Sequence, residues 1–334
     1  MNSLERVLAT YRGEKPDKTP VIPIVGQAAA TLNGITISEE LKSPETLASS
    51  RISCLKRFGY DGLYISADTW VTAEAMGVKI SQPSNAPAEG IEPLIKEKKD
   101  LDKLKPLNPL EDGRCPLLVE AVRIAVKESK DQFAVIGNFD QSPFSLACAL
   151  RGINQIMIDL YDSPTFVEKL LEITTESAIR YAKAMAEAGA HILNTGDSPA
   201  GLIGPENYIR FALPYEKAMF EELSSYKRPS VLHICGDTTQ LLEKMAESKA
   251  DGLELDYQVD LVRARETIGD YITIIGNLNP VAIMLEGTPE LVKKEAQKLT
   301  SQSDKIGKFI LSTGCTIAPT NPPENLRAIV EAVI

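Results

Sequence analysis

Residues 230–236 read Ser230-Val231-Leu232-His233-Ile234-Cys235-Gly236. Apolar and β-branched residues run into a glycine, the pattern of a buried strand that ends in a tight turn. Strand side chains alternate faces, so His233 and Cys235 (positions i and i+2) point the same way. Strands of the same kind recur on both sides of this one. Upstream are Pro20–Val25, Asp61–Ser66, Phe133–Gly137 and His191–Asn194; downstream are Asp251–Asp256, Tyr271–Gly276 and Lys308–Leu311.

Helical patterns fill most of the intervals. Ser43-Pro44 opens a helix that Gly59 stops, and Ser163-Pro164 opens a long one that stops at Gly189. Shorter helices are expected near Leu117–Lys127, from Pro205, through Leu241 and Met245, over Asp260–Ile268 and Pro289–Leu299, and from Pro323. Eight strands alternating with helices predict parallel pairing with right-handed crossovers. The expected fold is an α/β (β/α)8 TIM barrel, one domain over residues 1–334. An N-terminal helical extension precedes it, and an irregular insertion from about Gly77 to Lys130 separates the second and third strands. A doubly wound sheet is the rival, but no G-x-G-x-x-G follows the first strand.

Bulk properties exclude several classes. A net charge of −10 argues against nucleic acid or an anionic membrane as the main partner. No apolar run approaches the roughly 18–20 residues that span a bilayer. The first eight residues read as a charged amphipathic helix rather than a signal peptide. Cys54, Cys115, Cys148, Cys235 and Cys315 are odd in number and scattered, which predicts a reducing compartment and a cytoplasmic protein.

In a barrel, chemistry gathers at the carboxyl ends of the strands. Asp68, Asn138, Asp140, Asn194, Asp197, Glu254, Asp256 and Asn277 fall there with His233 and Cys235. Cys315 joins them, following the strand and turn Leu311-Ser312-Thr313-Gly314-Cys315. One imidazole and two thiols at strand ends suit a zinc ion with one position open, the catalytic arrangement. The same residues also suit packed core positions, and residue type alone leaves both readings standing. Asp197 and Asp256 could each cap a following helix, whereas Glu254 lies within its strand. His191, at the start of a strand, reads as structural. Ala28, Ala29, Ala30 and Trp70 fit either an apolar pocket or core packing.

The chain resembles the uroporphyrinogen decarboxylase superfamily over nearly its whole length. Phe58-Gly59-Tyr60-Asp61, Asp102–Leu107, Gly137–Leu150 and Pro322-Pro323-Glu324-Asn325-Leu326 carry the resemblance. Within that superfamily, Val231–Gly236 and Gly314–Pro319 are similar to the metal motifs of the zinc-dependent corrinoid methyltransferases that methylate coenzyme M. The Gly276-Asn277-Leu278 and Asp197–Ala200 segments are similar to that group as well. The resemblance implies the barrel fold and makes His233, Cys235 and Cys315 the ligands of Zn2+. Decarboxylases carry an R-Q-A-G-R-Y segment after the first strand. This chain has Gly26-Gln27-Ala28-Ala29-Ala30-Thr31, without either arginine for gripping a polycarboxylate.

The resemblance implies methyl transfer between a corrinoid, such as methylcobalamin on a separate corrinoid carrier protein, and a zinc-activated thiol such as coenzyme M. One alternative passes a methyl group from a methoxylated aromatic to cobalt(I); another is uroporphyrinogen decarboxylation. Glu254 and Asp197 are the candidates for handling a proton or orienting a ligand. Asn277, Asn194 and Asp68 are the candidates for contacting the small-molecule methyl donor or acceptor.

Overall fold

The computed structural model describes residues 1–333. Seven parallel strands form a curled sheet: β1 (Gly62–Ile65), β2 (Ala134–Gln141), β3 (Ile192–Gly196), β4 (Ser230–Ile234), β5 (Gly252–Leu255), β6 (Thr273–Leu278) and β7 (Phe309–Thr313). Neighbours in space follow neighbours in sequence throughout. The expected first strand is the exception. Pro20–Val25 forms only an isolated parallel bridge, Val21 to Leu311, because Pro20 and Pro23 lack the N–H that a ladder needs.

That segment still bonds to both edges of the sheet. Ile22 N–H donates to the Leu311 carbonyl (2.9 Å), and Asp61 N–H donates to the Val21 carbonyl (2.8 Å). The buried Asp61 carboxylate fastens the junction. It accepts from Val21 N–H (2.8 Å), Ser3 Oγ (2.6 Å) and Arg6 Nη1 (2.6 Å). Ser3 and Arg6 belong to the helix Ser3–Arg12, which Asn2 caps through a reciprocal bond pair with Glu5. The apolar face of this helix (Leu4, Val7, Leu8 and Tyr11) packs onto Ile22, Ile136, Ile192, Val231, Ile275 and Ile310. It therefore plugs the amino-terminal end of the sheet's concave side.

Between β1 and β2 the chain forms a short antiparallel ribbon, Ile80–Ser81 with Glu89–Gly90, and then the helix Cys115–Ser129. Three consecutive helices, Pro143–Arg151, Ile153–Asp162 and Pro164–Glu187, separate β2 from β3, where the sequence pattern predicts one long helix. Pro205 does open a helix, Gly204–Phe211, which a second one, Leu213–Leu223, extends. Among the described residues no helix is long and apolar enough to cross a membrane.

Strand alternation places the site. On the concave side, β2 carries Ala134, Ile136 and Asn138, while β3 carries Ile192 and Asn194. On β4 the series is Val231, His233 and then Cys235; on β5 it is Gly252 and Glu254. Cα registers align Ile136 with Ile192, Asn138 with Asn194, and His233 with Glu254. An apolar layer thus gives way, one pleat higher, to a polar layer at the carboxyl end.

Candidate metal and substrate site

The polar layer forms the floor of a cavity of about 520 Å3, within the ordinary range for small-molecule sites. His233, Cys235 and Cys315 lie on its wall, their donor atoms all within 4.8 Å of one another. His233 Nε2 is 2.9 Å from Cys235 Sγ, which is 3.4 Å from Cys315 Sγ. Tight turns bring these groups together. Gly236 continues from Cys235 at φ +90°, and Gly314 lets the last loop approach the Tyr257 backbone, where a Cβ would sit 2.5 Å from the amide nitrogen.

His233 Nδ1 faces the Glu254 carbonyl at 3.1 Å and Glu254 Oε2 at 3.5 Å. A ring placed between these acceptors carries a proton on Nδ1 and turns Nε2 toward the sulfurs. Glu254 is itself held by Tyr64 Oη (2.6 Å) and Asn194 Nδ2 (3.4 Å). Burial raises its pKa, against the opposing pull of His233 and Tyr64. Burial alone would lower His233, but Cys235 and Glu254 hold it up to about 9. A hydrogen bond from Cys315, together with His233, brings Cys235 down to about 3, and Cys315 rises in response.

The donor set fits zinc. Tetrahedral bonds of about 2.1 Å to nitrogen and 2.3 Å to sulfur space donors roughly 3.5–3.8 Å apart. The observed nitrogen–sulfur and sulfur–sulfur separations fall short by about 0.7 and about 0.4 Å, which side-chain rotation supplies. The carboxylate behind His233 is the outer partner that metal-ligating histidines ordinarily have.

The remaining expected site residues divide. Asn194 lines the cavity and accepts from Asn138 Nδ2 (2.7 Å). Asp68 also lines it, its carboxylate clamped by Arg114 Nη1 (2.6 Å) and Nη2 (3.0 Å). Asn277 is turned away: its amide donates to the carbonyls of Asp256 (2.8 Å) and Val259 (2.7 Å). Asp197 is fully buried behind the wall, accepting from Ser145 N–H and Oγ at 2.7 Å each. Burial lifts it to about 6, and the buried Glu216 beside it is raised too. Ala28, Ala29 and Ala30 are core residues, and Trp70 packs over Gly90.

The sequence pattern assigned no role to Tyr64, Gln27 or Asp140, all of which line the cavity. Tyr64 shares a strand face with Gly62, so alternation along Gly62–Ile65 carried the signal. Asp140, at φ +65°, accepts from Thr72 N–H and Oγ1 at 2.8 Å each, and burial raises it to about 7.

The uroporphyrinogen decarboxylase (URO-D) family profile matches residues 2–334. The methylcobamide:CoM methyltransferase MtbA of Methanosarcina acetivorans is 32% identical, covering 98% of this chain and 96% of the relative. A uroporphyrinogen decarboxylase of Thermus thermophilus is 30% identical, with 98% and 96% covered. A solved methyltransferase from Methanosarcina mazei superposes with a TM-score of 0.90 at 27% identity, over 99% of this chain and 98% of that one. Methyltransferases and decarboxylases thus share this architecture. By profile, by sequence and by superposition, the chain belongs to the uroporphyrinogen decarboxylase family.

Proposed function

We propose that this chain is a zinc-dependent methyltransferase that moves a methyl group between a corrinoid and a thiol bound at the cluster of His233, Cys235 and Cys315. The carrying observation is the convergence of these three donors on the wall of the cavity, backed by Glu254. When bound, zinc supplies a Lewis acid that makes a coordinated thiol a thiolate at neutral pH. His233 presents Nε2 because Glu254 holds the Nδ1 proton, and Tyr64 and Asn194 hold Glu254. The cavity wall orients the small molecule so that its sulfur faces the entrance. There the thiolate sulfur would take the methyl group of a methylcorrinoid, the cobalt–carbon bond pair would stay with the corrinoid as cobalt(I), and the thiol proton would pass to solvent.

Glu254 is the carboxyl group nearest the cluster and is the one suited to orienting its ligands. Asp197 supports the wall through Ser145 instead. The corrinoid reaches the cavity mouth on a separate carrier protein, in a transient complex at the face that holds Cys235 and Cys315; equal rates with free cobalamin would rule this out. The five free cysteines support a cytoplasmic location.

Decarboxylation of a porphyrinogen is disfavoured. Among the described residues lining the cavity there is no Lys or Arg to hold its carboxylates. The deciding experiment pairs methylcobalamin demethylation by thiols with methylation of cobalt(I) by methoxylated aromatics, alongside zinc analysis. Turnover only in the first assay, lost with the metal, supports this reading. Turnover only in the second reverses the direction of transfer. Porphyrinogen decarboxylation indifferent to chelators defeats the reading.

A further inference from the structure

The same cavity also specifies what kind of small molecule it takes. Apart from the three metal-binding candidates and the Tyr64 phenol, its ionisable wall groups are carboxyls: Asp68, Asp140 and Glu254. Each of them already has donors from the protein. Arg114 clamps Asp68, Thr72 donates twice to Asp140, and Tyr64 and Asn194 hold Glu254. Among the described residues the lining offers no cation to a negative ligand, and the one carboxyl oxygen without a donor, Asp140 Oδ1, belongs to a group that burial biases toward its neutral form.

Two buried polar atoms of the lining are unspent, the donor Gln27 Nε2 and the acceptor Gln141 Oε1. Gln27 is 6% exposed, lines the cavity, and its Nε2 has no hydrogen-bond partner among the described residues. A buried amide N–H2 without an acceptor is costly, and an occupant with an oxygen acceptor relieves that cost. The amide is neutral, so it serves an uncharged acceptor without needing an anion.

Building on the methyltransferase reading above, we propose that the small-molecule partner is an uncharged thiol or methyl thioether bearing an oxygen acceptor, which Gln27 recognises, and that the cavity rejects anionic thiols. An anion finds no cationic side chain in the lining and must shed its water in a poorly screened site. A cation finds only Asp140 Oδ1 without a donor, on a carboxyl that burial biases toward its neutral form, and must shed its water.

The test compares three thiols that share a two-carbon stem: 2-mercaptoethanesulfonate, 2-mercaptoethanol and 2-mercaptoethyl-trimethylammonium. Each is titrated into the cobalt(II)-substituted protein, where the thiolate charge-transfer band reports coordination without any corrinoid. The neutral thiol is expected to bind at least about tenfold tighter than either charged one. Equal binding, or preference for the sulfonate or the ammonium, overturns the proposal. If none perturbs the band, thiol activation fails as a function. Charge preference is then decided by calorimetry of the three S-methyl thioethers on the zinc protein, where binding of none, or of a charged one best, overturns it.

Gln27→Leu supplies the second arm. It should weaken 2-mercaptoethanol on the order of fivefold while leaving ethanethiol, which has no oxygen, unchanged at full metal content. An equal loss for both thiols, or no loss for either, excludes Gln27 as the recognising group.

Discussion

Cys235 Sγ and Cys315 Sγ lie 3.4 Å apart although eighty residues separate them in the chain. Two strand ends, β4 and β7, deliver them to one wall, and His233 completes the trio. The purified chain is therefore expected to carry close to one zinc. Cys235→Ser, Cys315→Ser and His233→Ala should each reduce this to less than about a tenth, because three protein ligands are the usual complement of a catalytic site. Atomic emission on desalted protein measures it, and full zinc in any of these variants contradicts the ligand set.

Glu254 acts on the cluster through His233. Glu254→Gln should lower zinc affinity roughly 10–100-fold in a chelator competition, the usual size of an outer-partner effect at a metal site. Tyr64→Phe leaves the Glu254 carboxylate short of its 2.6 Å donor. Its expected cost is about 1–3 kcal/mol in denaturant unfolding. A neutral Tyr64→Phe would mean that another group already satisfies that oxygen.

Gly314 admits no side chain. A Cβ there would lie 2.5 Å from the Tyr257 amide nitrogen, so Gly314→Ala must push Cys315 and its loop outward. Zinc affinity should fall severalfold while circular dichroism stays native, since the strand and helix core lies elsewhere. Unchanged metal affinity would show that the loop gives way without moving the sulfur.

Asp140 provides a pH signature. Burial raises its folded pKa to about 7, so the folded chain holds this proton more tightly than the unfolded chain does. The stability it contributes is complete below the unfolded value of about 3.9 and is lost as pH rises through about 7. Asp140→Asn removes that titration and keeps a residue that tolerates φ +65°. The variant should match the wild type near pH 4 and exceed it near pH 8, by about 4 kcal/mol at most. Parallel stability curves would place the proton elsewhere.

Alternation carried much of the site. The spacing of His233 and Cys235 gave a shared face, and the rhythm of strands and helices gave seven of the strands with their order. What alternation cannot encode is where a side chain's hydrogen bonds go. Asn277 sits at a strand end as expected, yet its amide is taken up by two loop carbonyls. Asp197 is likewise committed to Ser145, a residue 52 positions away. Pro20–Val25 looked like a strand by composition, but its two prolines leave only a bridge. The partners of Asp68 and Asp140, Arg114 and Thr72, arrive from helices distant in sequence, which no local pattern announces.

The helix Ser3–Arg12 turns the ring of strands into a cup with a stoppered base. Two reactants that meet in a cup must share its rim. The smaller has to be aboard before the bulkier settles on top, and the product waits beneath until that lid lifts. For the proposed methyl transfer this predicts an ordered sequence of arrivals and departures, set by the ten residues of that helix.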